Sequence, residues 1–195
     1  MVFSDFACPF CYIGFKIAMR MQEENPEMSF IWYPYELDKD TPEEGSDLGD
    51  SIPREQIEIA YRRIERLGSE YRLVYTNKTR KFNTGLLHRA AVYAQEVGLF
   101  YPFAREGFKA IFEDGKNVAL KEVVNEIGLV AGLNIQDMMR SIEEGDIEDK
   151  MEKARELAAA YGIESVPTFI REDGVKVTLL KEYNKFTDDL TKCTK

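Results

Sequence analysis

Two cysteines separated by two residues lie near the start of the chain, in the stretch DFACPFCYIG at residues 5–14. The alternating segment MVFSDF precedes them and predicts a short strand. The segment after them has apolar residues at helical spacing, which predicts a helix that begins at or near the cysteines and ends at Asn25-Pro26. A strand that leads into a helix at a cysteine pair restricts the fold to one that places both thiols at a helix N-terminus.

The cysteine pair falls in the first turn of this helix, with Cys8 as the N-cap and Pro9 as the first helical residue. Proline is favoured there because its missing N–H would have no partner within the helix. The Cys11 N–H is then an unpaired donor, which we expect to point at the Cys8 side chain. A thiolate on Cys8 would accept that hydrogen bond at the positive end of the helix dipole. We therefore predict that Cys8 is the nucleophile and Cys11 the resolving thiol.

Two other interpretations of the pair are a zinc site and two structural cysteines. Zinc needs four ligands, and outside the pair the chain offers only Cys193, its single histidine His88 and carboxylates, so we predict no metal. The redox interpretation is preferred because strand, cysteine pair and helix follow one another directly. Since Pro9 and Phe10 carry no charge, only the helix N-terminus stabilises the thiolate, by roughly 0.3–2 kcal/mol. This favours a reductant, an isomerase or a mild oxidant over a strong oxidant.

Composition restricts the partners and the cellular location that we expect for this chain. The 195 residues include 35 acidic and 26 basic side chains and no basic cluster, and the net charge is −9, so nucleic acid is not an expected partner. No apolar run approaches the length of a membrane span, so we expect no membrane partner. The segment before Cys8 is too short for a signal peptide, and three cysteines are not a disulfide framework. We predict a cytoplasmic protein that is a monomer or a homodimer.

The rest of the chain alternates between strand and helix signals in a specific order. A second strand is predicted at 28–37 and an acidic linker at 38–53, and residues 54–160 show helical patterns with almost no strand signal. Asp173-Gly174 then predicts the turn of a hairpin, and a last helix follows. This order indicates an α/β unit interrupted by a block of helices.

A second candidate site is the stretch GIESVPTFI at residues 162–170, in which a proline directly precedes a β-branched and aromatic strand. Such a proline is a candidate for a cis peptide bond in a tight turn, and a plain trans proline is the alternative. Because Pro167 has no N–H, it would leave the backbone of Val166 free to pair with an extended peptide or a thiol ligand.

The combination of SDFACPFCYIG, a helical insertion and GIESVPTFI resembles the DsbA-like thioredoxin-fold oxidoreductases. The branch it resembles is that of FrnE and the 2-hydroxychromene-2-carboxylate isomerases, grouped with the kappa-class glutathione transferases. The segments NTGLLHRA and AIFEDGKNVAL resemble helices of the same branch. The resemblance implies that Cys8 and Cys11 are the redox pair and that Pro167 is the cis-proline.

The same resemblance implies the fold and the domain division. We expect a thioredoxin fold, in which helices flank a mixed central sheet, with an all-helical insertion domain. The thioredoxin-like domain is discontinuous and comprises residues 1–45 and 146–195, and the insertion comprises 46–145.

The preferred function is that of a thiol–disulfide oxidoreductase acting on protein or peptide thiols and disulfides, with no cofactor beyond its own Cys8–Cys11 disulfide. A glutathione-dependent isomerase or transferase is the alternative, and glutathione is a further expected partner or co-substrate. In relatives of that type a serine replaces the first cysteine, and VKVTLLKEYNKF departs from the family's last turn. A non-catalytic binding or chaperone-like module is a third possibility. The substrate contacts are predicted at Pro9, Phe10, Val166 and His88.

Further residues have competing roles. His88 either lines the cleft between the domains or is a partly exposed helix residue. Asp5, three residues before Cys8, either bonds to the motif loop, accepts a proton during exchange, or is purely structural. Trp32, Tyr33 and Tyr35 are expected in the core, and Cys193 is expected to be a free thiol.

Overall fold

A four-stranded mixed sheet forms the centre of the structure, a computed structural model that describes residues 1–192. The six strands of the described part are β1 Val2–Ser4, β2 Trp32–Pro34, β3 Ser46–Asp47, β4 Arg80–Lys81, β5 Thr168–Ile170 and β6 Lys176–Val177. The central sheet has the order β2-β1-β5-β6. Strand β1 is parallel to β2 and antiparallel to β5, so Val2 lies opposite both Trp32 and Phe169.

Helices surround the sheet and form the block predicted between its two halves. They are α1 Pro9–Glu24, α2 Arg54–Gly68, α3 Gly85–Glu96, α4 Phe100–Phe112, α5 Lys121–Val130, α6 Ile135–Glu143, α7 Asp146–Ala160 and α8 Tyr183–Thr191. Helix α1 begins at the cysteine motif and ends before Asn25, as the sequence predicts. The range 54–160, for which helical patterns were predicted, contains α2 to α7.

Strands β3 and β4 pair with each other outside the central sheet, with Ser46 opposite Lys81. They lie within residues 46–145, so that part of the chain is not entirely helical, contrary to the expectation. With two residues each, these strands are too short to show an alternating pattern. The second predicted strand at 28–37 is also shorter in the structure, where only Trp32–Pro34 is paired.

One hydrophobic core joins the sheet to the helical block. Val2 and Phe169 of the sheet belong to the same buried cluster as Phe103 of α4 and Met138 of α6. Trp32 is 4% exposed, which confirms its predicted core position. Tyr33 and Tyr35 are only partly buried and pack against a smaller cluster that includes Phe3, Ile163 and Ile170.

The outer edge of β2 is covered by α3. The Gln95 side chain accepts a hydrogen bond from the Trp32 N–H at 3.0 Å and donates to the Trp32 carbonyl oxygen at 3.2 Å. It occupies the position of a neighbouring strand and satisfies backbone groups that an edge strand otherwise leaves open. No helix among residues 1–192 is long and apolar enough to cross a membrane. Cys193 lies outside the described residues.

Candidate active site

The first turn of α1 presents both cysteines of the motif as free thiols. Cys8 is the N-cap residue with an extended backbone (φ −96°, ψ 115°), and Pro9 follows as the first helical residue, which confirms the predicted placement. Cys8 is 7% exposed and Cys11 is 0% exposed. Both cysteines are therefore buried, but Cys8 keeps a small exposed fraction and Cys11 has none.

The Cys8 side chain does not accept the capping hydrogen bond expected from the sequence. The Cys11 N–H donates instead to the Cys8 carbonyl oxygen at 2.9 Å. Cys8 Sγ donates to the carbonyl oxygen of Val166 at 3.5 Å. The expectation assumed a thiolate, whereas a neutral thiol has a proton to donate and accepts only weakly, so it faces a carbonyl.

The loop before β5 lies against this thiol. The Val166–Pro167 peptide bond is cis; Pro167 is buried and Val166 is half-buried. A Cβ atom added at Gly14 of α1 would lie 3.3 Å from Pro167 Cγ and 3.3 Å from Phe169 Cε2. The missing side chain therefore allows α1 to approach the loop closely. A glycine inside a helix costs about 1 kcal/mol relative to alanine. Its presence within the predicted helix could therefore have indicated a close packing contact.

Cys11 is held in surroundings that keep its proton on the sulfur. The Asp5 N–H donates to Cys11 Sγ at 3.5 Å. Burial raises the pKa of the Cys11 thiol well above its ordinary value, and the hydrogen bond and charge of Cys8 raise it further. Hydrogen bonds from the Ser4 side chain and the Asp5 backbone act in the opposite direction. Cys11 is thus a protonated thiol with donors already directed at its sulfur.

The Asp5 carboxylate is buried between the motif loop and α3. It accepts from the Ala7 N–H at 2.9 Å, which confirms the predicted bond to the motif loop, and from the Leu37 N–H at 2.7 Å. It also accepts from Thr84 Oγ1 at 2.9 Å. Burial acts to raise the pKa of Asp5, but hydrogen bonds from His88, Ala7 and Leu37 and the charge of His88 outweigh it, and the pKa is lowered.

His88 lines a small cavity between the sheet and the helical block, together with Trp32 and Phe108, and it is not the partly exposed residue of the alternative interpretation. It is 3% exposed, its Nε2 lies 3.0 Å from Asp5 Oδ1, and its ring packs 5.1 Å from that of Phe6. Because a carboxylate only accepts, Nε2 carries the proton. His88 lies in the first turn of α3, and its Nε2 faces the buried carboxylate of Asp5, the residue that follows β1.

Two tyrosines close the other side of the motif. The Tyr75 hydroxyl donates to the Pro9 carbonyl oxygen at 3.3 Å, and the Tyr61 and Tyr75 rings meet edge to face at 6.0 Å. Burial raises the pKa of Tyr61 to about 12, and negative charge on Cys8 contributes. In the sequence, Tyr61 lies at helical spacing from Ile57 and Ile64, whereas no local pattern indicates Tyr75. The half-buried Phe10 ring has the Arg63 guanidinium 5.4 Å from its centre.

Charged side chains continue from Tyr61 into an open cleft of about 470 Å³. The lining residues with ionisable side chains are Asp47, Arg54, Glu58, Tyr61, Arg62, Glu65 and Lys78. Among residues 1–192, no group of three or more His, Cys, Asp and Glu side chains is arranged to hold a metal ion.

The comparison with known families agrees with this geometry. The model of the DSBA-like thioredoxin domain matches residues 1–190. The chain belongs to the DsbA-like thioredoxin family. No functionally curated protein matches this DsbA-like chain in sequence.

Solved structures show that the fold is shared. A probable DsbA oxidoreductase from Streptomyces coelicolor superposes with a TM-score of 0.84 at 22% identity, covering 97% of this chain and 87% of that one. A 2-hydroxychromene-2-carboxylate isomerase gives 0.72 at 12% identity, covering 91% and 86%. The cytosolic disulfide reductase DsbM from Pseudomonas aeruginosa gives 0.67 at 18% identity, covering 91% and 87%. At these identities the similarity establishes the DsbA-like thioredoxin fold.

Proposed function

We propose that the chain is a thiol–disulfide oxidoreductase in which Cys8 is the nucleophile and Cys11 the resolving cysteine. The Cys8 thiolate attacks a substrate disulfide, forms a mixed disulfide and releases one substrate thiolate, which takes up a proton. Cys11 then loses its proton and attacks the Cys8 sulfur. The Cys8–Cys11 disulfide forms, and the second substrate sulfur leaves with the electron pair. The substrate is reduced by two electrons and the cysteine pair is oxidised.

The observation that supports this proposal most directly is the difference between the two thiols. Cys8 is at the surface end of the turn, whereas Cys11 is fully buried behind it. The raised pKa of Cys11, due first to burial, means that this thiol keeps its proton until a mixed disulfide has formed. An accessible thiol at a helix N-terminus backed by a protonated thiol is the arrangement that two-step exchange requires.

The proposed substrate is a protein or peptide disulfide that lies along Val166. The Val166 carbonyl oxygen already contacts Cys8 Sγ, so a chain that pairs with this backbone would bring its sulfur to Cys8. We propose that glutathione or a partner protein regenerates the thiols in the cytoplasm. Support comes from the DsbM structure with GSH, which superposes with a TM-score of 0.67. No bound cofactor is needed for this cycle.

The test is to trap the mixed disulfide. The Cys11→Ser variant, mixed with a peptide disulfide, is expected to keep the peptide on Cys8, because no resolving thiol is left to release it. Mass spectrometry of the intact protein measures the adduct. The Cys8→Ser variant is the matched control and is expected to remain unmodified, since Cys11 is buried. An adduct on Cys8→Ser, or none on Cys11→Ser, would contradict the assigned roles.

The same variants separate the alternative, a glutathione-dependent isomerase or transferase, which the superposition on an isomerase favours. In that chemistry the glutathione thiol reacts with the substrate, so Cys11→Ser is expected to leave glutathione-dependent turnover intact. Exchange activity lost in Cys11→Ser together with adduct formation supports the oxidoreductase. If a Cys8→Ser, Cys11→Ser double variant kept the activity of the unmodified chain, this would support a non-catalytic binding module. It would refute both the oxidoreductase and the glutathione-dependent enzyme.

A further inference from the structure

We propose that His88 of α3 and Thr84, the N-cap residue of α3, are positioning residues for the resolving step, because through Asp5 they hold an N–H donor against the Cys11 sulfur. This inference rests on the thiol–disulfide exchange proposed above. It adds that the helical block contributes to the chemistry of the motif, and it gives a role to the single histidine of the chain.

Asp5 is the link because its backbone and its side chain face different partners. Its N–H donates to Cys11 Sγ at 3.5 Å, and its carbonyl oxygen accepts from the Cys8 N–H at 3.2 Å. The hydrogen-bond donors to its carboxylate are Ala7, Leu37, Thr84 and His88, so the carboxylate faces α3 rather than the two sulfurs. Any displacement of the carboxylate therefore moves the backbone groups that both cysteines contact.

The position of the carboxylate is set by four donors from three parts of the chain. Ala7 N, Thr84 Oγ1 and His88 Nε2 all donate to Oδ1, and Leu37 N donates to Oδ2. Half of these donors therefore come from α3 and its N-cap residue. Asp5 is 1% exposed, so water cannot readily replace a donor that is lost. The carboxylate would then move towards the remaining donors and carry the Asp5 N–H with it.

The Asp5 N–H matters most when Cys11 is charged. In the resolving step the Cys11 S–H bond breaks and its sulfur is anionic before it bonds to Cys8. Burial disfavours that anion, and the Asp5 N–H and the Ser4 side chain are the donors that stabilise it. In the first step the anion is on Cys8, and Cys11 stays neutral. Misplacing the Asp5 donor is therefore expected to slow the second step selectively.

The experiment measures the two steps separately with the full chain. A peptide disulfide is mixed with the reduced protein, and release of the second peptide thiol reports resolution. Formation of the mixed disulfide, the first step, is measured in variants that also carry Cys11→Ser, because these cannot carry out the second step. His88→Leu is expected to slow resolution about tenfold, the effect of one hydrogen bond to a charged group, and to leave the first step within about twofold. His88→Gln, which retains an N–H donor at the position of Nε2, is expected to restore most of the resolution rate.

Gln95→Leu is the matched control, because it removes two hydrogen bonds between the same helix and β2 without touching Asp5. It is expected to lower stability yet resolve at the normal rate. Equal resolution rates in His88→Leu, Gln95→Leu and the unmodified chain would overturn the inference and leave only a structural role. If the unmodified chain shows no exchange, the proposed function fails as well. Should His88→Leu not fold, Thr84→Val is expected to slow resolution in the same direction, and an unchanged rate in that variant would overturn the inference.

Discussion

Asp5 is the residue at which the stability of the protein and the geometry of the motif depend on the same contacts. A carboxylate that is 1% exposed would normally be driven towards its neutral form. Here the hydrogen bonds from His88, Ala7 and Leu37 outweigh burial and lower the pKa of Asp5 below its ordinary value. Because the folded-state pKa is the lower one, ionisation of Asp5 stabilises the fold above the unfolded-state pKa, and this contribution is lost as the pH falls below it.

The first prediction follows from the lowered pKa of Asp5. Asp5→Asn is expected to lower the free energy of unfolding at neutral pH by about 3 kcal/mol, because it removes the charge and turns an amide N–H₂ towards another donor. As the pH falls below the ordinary pKa range of an aspartate, the unfolded chain takes up the Asp5 proton first, because the folded-state pKa is lower, so the difference is expected to shrink. Urea unfolding at a series of pH values measures it. A difference that stays constant into the acid range would show that the charge contributes nothing.

Whether a contact between two residues can be predicted depends on how many residues separate them along the chain. The bond between Asp5 and Ala7 was predictable because the two residues are local and an aspartate readily binds a nearby N–H. The bond between Asp5 and His88 spans 83 residues, and nothing in the local pattern of α3 indicates it. The orientation of the Cys8 thiol towards Val166 likewise depends on a loop 158 residues away.

At the level of elements, the approach of α1 to the loop before β5 depends on Gly14. Gly14→Ala adds a methyl group 3.3 Å from the Pro167 ring, closer than an ordinary contact. We expect the loop to shift by a few tenths of an ångström and the Val166 carbonyl oxygen to move away from Cys8. The alanine also raises helix propensity by about 1 kcal/mol, so stability is expected to change little.

The second prediction is therefore a loss of rate without a loss of fold. Exchange with a peptide disulfide is expected to slow about threefold to tenfold in Gly14→Ala, as one displaced hydrogen bond would cause. Stopped-flow kinetics measure the rate, and thermal unfolding measures stability. An unchanged rate in the folded variant would show that the loop yields without affecting Cys8.

Helices were more predictable than strands because their signals are longer. Helix α2 begins at residue 54, where the predicted helical range begins, and its apolar residues repeat at helical spacing over four turns. Strand β2 is three residues long and too short for such a repeat. Strands β3 and β4 have two residues each and pair Ser46 with Lys81 and Asp47 with Arg80, so only the folded chain brings them together.

At the level of the whole molecule, the sheet and the helical block share one core, and Trp32 lies where they meet. Its indole N–H donates to the Tyr101 hydroxyl at 3.3 Å, and its ring stacks on Phe100 at 5.3 Å, both in α4. The same ring contacts Phe169 of β5 at 6.4 Å. Trp32 is the only tryptophan of the chain, so its fluorescence reports on both parts at once.

The third prediction is that the two parts unfold together. Trp32 fluorescence and far-UV circular dichroism are expected to give coincident urea transitions, the behaviour of a single cooperative unit. Phe103→Ala in α4, at a site that is 0% exposed, is expected to lower the free energy of unfolding by about 3–5 kcal/mol in both signals. Leu129→Ala is the control, since that side chain is 65% exposed and its loss is expected to cost less than about 0.5 kcal/mol.

Separate midpoints, with Phe103→Ala shifting only the circular dichroism, would show instead that the helical block unfolds independently. If the helical block unfolded first, water would replace the donors that α3 offers to Asp5. The hydrogen bond between His88 and Asp5 would then be lost before the sheet unfolds.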